Sequence, residues 1–372
     1  MKVHLFYTGW VAKDHKSFTT GGVQTYLINL SKIFAEEGFD EFHYYRGSSI
    51  ENEVVIDGIH VHEIVCKAKK NRIRVKKVFE HFKHVIDKEN DIVLFADDYQ
   101  STNALDYHSI SIQHGIFWDI PEEQVGKFSF AVMFVRKCLD AWRRMKHIRN
   151  VKIMVCVDYN FPNWYRATFP AQVVKTRVIP NFTHIMPRVE KPKGRINIVF
   201  ARRFEKFRGT RVFGEAVKKI LGEYDNVFVT LAGWGADIKW LHQQFDGDER
   251  VTFTEYATGT SLEFHADKHI AVVPTVGSEG TSLSLLEAMS AQCAVVASDV
   301  GGITNVVIDG FNGLMVPSGS STSLYEALKR LIDHPEEIKR LSDNAYNVVK
   351  ESFSYEKWKQ EWIRIIRMAR QM

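Results

Sequence analysis

Cysteine is scarce. Four stand among 372 residues (Cys66, Cys138, Cys156, Cys293), far apart and with no C-x-x-C pair. That spacing, and the absence of H-E-x-x-H, argues against structural zinc and a disulfide scaffold and fits a reducing compartment. Proline (9) and glycine (23) are too few for a collagen or a low-complexity tract. No repeat of 20–50 residues is present. No window reaches the ~18 continuous apolar residues of a membrane span. The longest apolar run, Phe128 to Val135, is closed by Arg136 and Lys137. The first residues, interrupted by His4 and Thr8, do not form a secretory signal. A cytoplasmic location is expected. Charge of one sign is not in excess, at 49 Lys+Arg against 45 Asp+Glu. With no reading motif either, nucleic acid is not an expected partner.

Apolar residues make up 45% of the chain, ample for a core, and the length suits two domains. The basic excess lies in two segments. Residues 67–83 hold eight Lys or Arg and one acid, and residues 127–152 hold eight and one. Solvated helix faces are the plainer reading. In the second segment, however, Val132, Val135, Leu139, Trp142 and Met145 recur at helical spacing between the cations. A basic amphipathic helix suits an anionic membrane surface, so peripheral attachment to the inner face of the membrane is an expectation.

Short apolar runs at Lys2–Tyr7, Asp91–Phe95, Ser109–Gln113 and Val151–Val157 alternate with helical patterns such as Val23–Glu37. Pro180–Gly194 reads as a linker. The pattern then restarts with Ile196–Phe200, Val227–Ala232, His269–Pro274 and Ala294–Ala297 as strands. This predicts an α/β protein of two doubly wound parallel-sheet domains, 1–185 and 190–352. A helix over 355–372 is expected to cross back to the first. Ligands of such domains sit beyond the carboxyl ends of the strands, here in an interdomain cleft.

The segment Pro274–Pro317 is the richest in chemistry. Glu279 precedes a predicted helix and Glu287 lies within it, roughly 12 Å further along the axis. Gly280, Thr281, Ser282 and Leu283 form the helix start, whose free N–H groups favour a phosphate or diphosphate. A cap beside an exposed Glu is the plainer reading of the pair alone. Upstream, Phe200-Ala201-Arg202-Arg203-Phe204-Glu205-Lys206-Phe207-Arg208-Gly209 puts cations at a strand end. Gly21-Gly22, His114-Gly115 and Gly233-Trp234-Gly235 each follow a strand.

This set resembles retaining glycosyltransferases of family 4, which have the GT-B fold of two facing Rossmann-like domains. The family's E-x7-E motif is matched by Glu279 and Glu287, followed by Gly301-Gly302 and Asp309-Gly310-Phe311-Asn312-Gly313. The resemblance implies that Glu279 contacts the donor sugar and that Glu287 holds the ribose hydroxyls. Arg203 fits the family's Arg, and Arg208 or Lys206 its Lys. It implies a diphosphate contact at Gly21-Gly22, a sugar contact at His114, and a nucleotide contact near Gly233 and Gly235. The substrate would be a UDP- or GDP-linked sugar, with no cofactor. The acceptor would be a glycan, lipid-linked, with a soluble acceptor as runner-up. Asp97-Asp98 are adjacent and read as a strand end, and turnover is expected without a divalent metal. A GT-B epimerase and a non-catalytic sugar-nucleotide or glycan binder are the rivals. A Rossmann dehydrogenase is weaker, since no G-x-G-x-x-G follows the first strand.

Overall fold

The structure, a computed structural model, describes residues 1–19, 21–116, 130–169, 175–257, 259–277 and 279–372. They fall into two compact units. One comprises Met1–Gly115, Phe130–Pro180 and Trp358–Met372, and the other includes Asn181–Lys357.

The first unit begins with β1 (Lys2–Phe6), α1 (Gly22–Glu36), β2 (Glu41–Ser48), β3 (Asn52–Ile56), β4 (Ile59–Val65) and α2 (Asn71–Phe82). It continues with β5 (Ile92–Phe95), β6 (His108–Gln113), α3 (Phe130–Met145), β7 (Ile153–Cys156), α4 (Asn160–Thr168) and β8 (Thr176–Val178). The sheet order is β3-β4-β2-β1-β5-β6-β7-β8. Every pairing is parallel except the β3–β4 hairpin. β5 and β7 are buried throughout, the signature of a parallel sheet covered on both faces. α2 covers one face with Val75, Val78 and Phe79, packed on Phe6, Val93 and Phe95.

The second unit holds β9 (Ile196–Ala201), α5 (Thr210–Glu223), β10 (Val227–Ala232), α6 (Ile238–Phe245), β11 (Val251–Thr254) and α7 (Ser261–His265). Then come β12 (Ile270–Val273), α8 (Leu283–Ser290), β13 (Ala294–Ser298), β14 (Leu314–Val316), α9 (Ser321–Asp333) and α10 (Pro335–Ser352). The all-parallel order β11-β10-β9-β12-β13-β14 reverses direction between β9 and β12. That point is where doubly wound sheets place ligands. Side chains alternate across this sheet with period two. Ile196, Ile198 and Phe200 join α5, α6 and α9 on one side, and Val199 and Ala201 join α8 and α10 on the other.

α11 (Tyr355–Arg370) ends the chain. Its Trp358 and Trp362 stand edge-on to Tyr26 at 5.0 and 6.0 Å, and Trp362 Nε1–H donates to the Tyr26 hydroxyl at 2.9 Å. Residues 181–191 are not slack. Thr183 N–H donates to Phe353 O, and Lys191 Nζ donates to the Ala266 and Ala291 carbonyls at 2.9 and 2.6 Å.

Candidate active site

In the second unit, β9 and β12 end side by side at the reversal point. Arg202 extends β9, its N–H donating to the Ala232 carbonyl at 3.0 Å. Glu279 lies between β12 and α8. Its Oε2 accepts from Arg202 Nη2 at 2.6 Å, Arg208 Nη1 at 2.5 Å and Thr275 Oγ1 at 2.9 Å. Arg202 Nη1 also donates to Thr275 Oγ1. The Glu279 side chain is only 10% exposed and that of Arg202 only 6%. Burial pushes the Glu279 carboxyl up, but Arg202 and Arg208 outweigh it and hold the group below its ordinary value. Two guanidiniums share one carboxylate, so the cluster carries a net positive charge.

Backbone contacts mould this cluster. Gly209 follows Arg208 with φ +78°, and a Cβ there would overlap the Pro274 carbonyl. Gly301 (φ +52°) and Gly302 pack flat against the Glu279–Gly280 backbone, and Gly302 N–H donates to the Glu279 carbonyl at 2.8 Å. α8 starts immediately after. Its N-cap Ser282 makes no side-chain capping bond, and no acid lies in its first turn. The first N–H groups of α8 are therefore uncapped by a side chain, as an anion site requires. Thr281 and Ser282 are buried, and Asn181 Nδ2 donates to the Thr281 carbonyl at 2.6 Å.

Residues 195–334 match the family described as glycosyl transferases group 1. That stretch is a glycosyl transferases group 1 domain. An uncharacterized glycosyltransferase of Methanocaldococcus jannaschii is 29% identical over 185 residues, covering 47% of this chain and 46% of the relative. The chain spans about half the length of the curated relatives it matches. Among solved structures, sucrose-phosphate synthase from Thermosynechococcus elongatus aligns with a TM-score of 0.75 at 18% identity, over 99% of this chain and 98% of that one. HepE of Anabaena in complex with UDP aligns at 0.71 and 16%, over 99% of each chain. The fold is α/β of the GT-B class.

Elsewhere in the glycosyl transferases group 1 domain, Glu287 sits on α8 in a different setting. Its Oε2 accepts from Ser261 Oγ at 2.7 Å, and burial raises its carboxyl above the ordinary value. Burial thus prevails at Glu287 over its bond from Ser261, whereas at Glu279 two guanidiniums prevail over burial. Gly233 and Gly235 back onto the Arg202 and Phe204 carbonyls and fix the exit of β9.

Arg203, selected by its spacing from Arg208-Gly209, is not at Glu279. Its side chain is 52% exposed and 3.8 Å from Glu205. The chain turns sharply there, with the Glu205 N–H donating to the Arg203 carbonyl, which swings Arg203 outward. Arg202 takes the place instead. Lys206 is exposed at the start of a short 3-10 turn, whereas Arg208 ends that turn against Glu279.

The remaining sequence-selected residues belong to the first unit. Gly21 (φ +155°) precedes α1, which also lacks a side-chain cap and an acid in its first turn. His114 follows β6. Its Nε2 bonds the Ala96 carbonyl at 3.0 Å, and its ring meets Tyr26 edge-on at 5.4 Å. Burial pushes this imidazole below its ordinary value, with Asp97 opposing.

One Asp-x-Asp stands in the chain, at Asp246-Gly247-Asp248. It precedes β11, at the end of the sheet opposite Glu279, and Asp248 is spent on Arg250 through both carboxylate oxygens. Among the described residues, no three His, Cys, Asp or Glu are grouped to hold a metal ion.

Proposed function

We propose that this chain is a retaining glycosyltransferase. It moves a hexose from a UDP- or GDP-linked sugar to a glycan acceptor, lipid-linked, in surface polysaccharide assembly. The observation that carries the reading is the Arg202–Glu279–Arg208 cluster, with its excess positive charge, beside the uncapped start of α8. The likeness in fold to HepE in complex with UDP supports a nucleotide donor.

In this mechanism the bond between the anomeric carbon and the donor phosphate oxygen breaks. The departing diphosphate gains negative charge, which Arg202, Arg208 and the α8 N–H groups stabilise more in the transition state than in the ground state. The acceptor hydroxyl bonds the anomeric carbon from the face the diphosphate leaves, and its proton passes to a phosphate oxygen. Configuration is therefore retained. Glu279 and His114 orient the sugar, and Glu287 accepts from the ribose hydroxyls. Gly21-Gly22 and Gly233–Gly235 let backbone approach the donor. Guanidiniums supply the positive charge, so neither a cofactor nor a divalent metal is needed.

The test is turnover of a panel of UDP- and GDP-sugars with glycan and lipid-linked acceptors, with the product anomer read from proton NMR coupling. Transfer with retention that survives a chelator is expected. An inverted product overturns the retaining mechanism, and isomerised donor sugar formed without acceptor assigns an epimerase instead.

A further inference from the structure

Among the described residues, helices such as α2 and α11 bury an apolar stripe, and α3 departs from this. α11 hides Trp358, Trp362, Ile365 and Ile366, and α2 hides Val75, Val78 and Phe79. α3 turns its stripe outward. Only Met133 and Ala141 are buried, while Val132, Phe134, Val135, Leu139 and Trp142 are 51%, 60%, 55%, 43% and 50% exposed. At 3.6 residues per turn these five fall within an arc of about 160°. The half-covered side carries Lys137, Asp140 and Arg144 instead. Such an inversion leaves an apolar surface that the described residues do not cover.

Charge says what covers it. Arg136 and Arg143 border the arc, and the helix runs into Lys146 and Arg149. Residues 130–150 contain six Lys or Arg against the single acid Asp140. Lys146 Nζ lies 3.4 Å above the Trp142 ring. The pair is part of the lining of a cavity of about 210 Å³, with Met145, Arg149, Tyr165 and Phe169. A lining of three aromatic rings and two cations suits a phosphate headgroup with its acyl chain alongside. A bordering row of cations is matched to an anionic surface, and aromatic residues on an outward face are matched to the boundary between headgroups and acyl chains. No helix among the described residues is long and apolar enough to cross a membrane, so α3 would lie on a bilayer rather than span it.

We propose that α3, with Lys146, Arg149 and the Trp142 cavity, is a docking surface for an anionic phospholipid bilayer. The apolar arc enters the headgroup boundary, and Arg136, Arg143, Lys146 and Arg149 hold lipid phosphates. The other basic segment lacks this design. In α2 Val75, Val78 and Phe79 face the core, and Ile73 alone among its large apolar residues stands exposed between the cations. Lys127, Phe128 and Ser129 of the second segment lie outside the described residues.

The test is co-sedimentation of the full chain with phosphatidylcholine vesicles, with and without phosphatidylglycerol, at low and high salt. It needs neither sugar nor nucleotide, so its outcome and that of the glycosyl-transfer assay are independent. Wild type should partition at least about tenfold more onto the anionic vesicles, and less at high salt. Two double variants, Leu139→Glu with Trp142→Glu and Arg136→Glu with Arg143→Glu, should each lose about tenfold or more of that binding. Both should melt like wild type, since all four side chains are exposed. Equal binding to neutral vesicles, wild type left in the supernatant, or double variants that sediment like wild type would each overturn the proposal. So would a change of oligomeric state in the variants with no lipid binding by wild type, which would make the face a seam between two copies.

Discussion

Arg202 Nη2 and Glu279 Oε2 lie 2.6 Å apart with both side chains almost out of water. The pair holds Glu279 ionised at the reversal point of the sheet, and Arg208 adds a second positive charge at 2.5 Å. A buried ion pair of this kind is weak support for stability, because desolvation offsets much of its Coulomb gain. Its excess of positive charge is better explained by an anionic ligand.

Arg202→Ala should therefore reduce sugar transfer by about 10²-fold or more, the scale of losing one charge-stabilising donor. It should also destabilise the fold by roughly 3 kcal/mol, since Glu279 loses one of its two cations. Arg203→Ala, half exposed, should stay within about twofold of wild type. Steady-state kinetics and urea melts of the two variants check this. Equal losses from both would return Arg203 to the site.

Glu287→Gln separates binding from folding. Burial raises the Glu287 carboxyl, so the folded state holds its proton more tightly than the unfolded chain does. Its contribution is fully present below the ordinary value of 4.5 and is lost as pH rises through the folded value. The Gln variant should lack that decline and be at least as stable as wild type at neutral pH. Nucleotide affinity should fall roughly tenfold, about 1.4 kcal/mol. Calorimetric titration with nucleoside diphosphates reads the affinity, and unchanged binding would remove Glu287 from the donor site.

Gly301→Ala should be among the most damaging small substitutions. A Cβ at φ +52° is strained and would overlap the Glu279 carbonyl. Strain of this kind costs on the order of 1–3 kcal/mol before any displacement of Glu279. Ala at the exposed-loop Gly58, which a Cβ would leave uncrowded, controls for strain alone. A lower melting temperature with loss of turnover is expected at Gly301, and loss of turnover is not expected at Gly58.

Acid should unfold the protein through its histidines. Burial brings His43, His147 and His265 from 6.5 to about 4. The folded state sheds their protons, so their contribution is present above pH 6.5 and is lost as pH falls toward 4. Each therefore lowers stability as the solution is acidified through that window. Asp98, lifted to about 7 by burial and Asp97, works in the opposite direction. Urea unfolding across this range should show a net loss on acidification that shrinks in His265→Asn. A flat profile would contradict it.

Much of the fold was legible because parallel strands buried on both faces read as unbroken apolar runs, as in Ile196–Ala201 and Ala294–Ser298. β2 was not, because Glu41, His43 and Arg46 break its apolar run. In the fold these find partners too distant to anticipate, such as Glu63 for Arg46 at 2.5 Å. The β3–β4 hairpin did leave a signal. Asp57-Gly58 takes φ +49° and +79°, the two-residue turn that Asp-Gly favours.

Within the site, Glu279 and Arg208 come together because the loops that leave β12 and β9 bring them to the same end of the sheet. Spacing pointed to Arg203 because only register is visible in a sequence. The turn at Arg203 that hands the position to Arg202 depends on Gly233 and Gly235 packing behind it. Thr275 and Asn181 carried no signal, since a lone hydroxyl or amide is common in loops. The α3 pattern was visible as amphipathic, but which way it faced was decided only by tertiary packing.

The most direct test is a thermal-shift titration with UDP, GDP and ADP on wild type, Arg202→Ala and Arg203→Ala. A ligand that binds only the folded state raises its melting temperature. A selective shift with UDP or GDP is expected in wild type and Arg203→Ala and should disappear in Arg202→Ala. No shift with any nucleotide, or an undiminished shift in Arg202→Ala, would contradict a diphosphate site at Arg202, Arg208 and the start of α8.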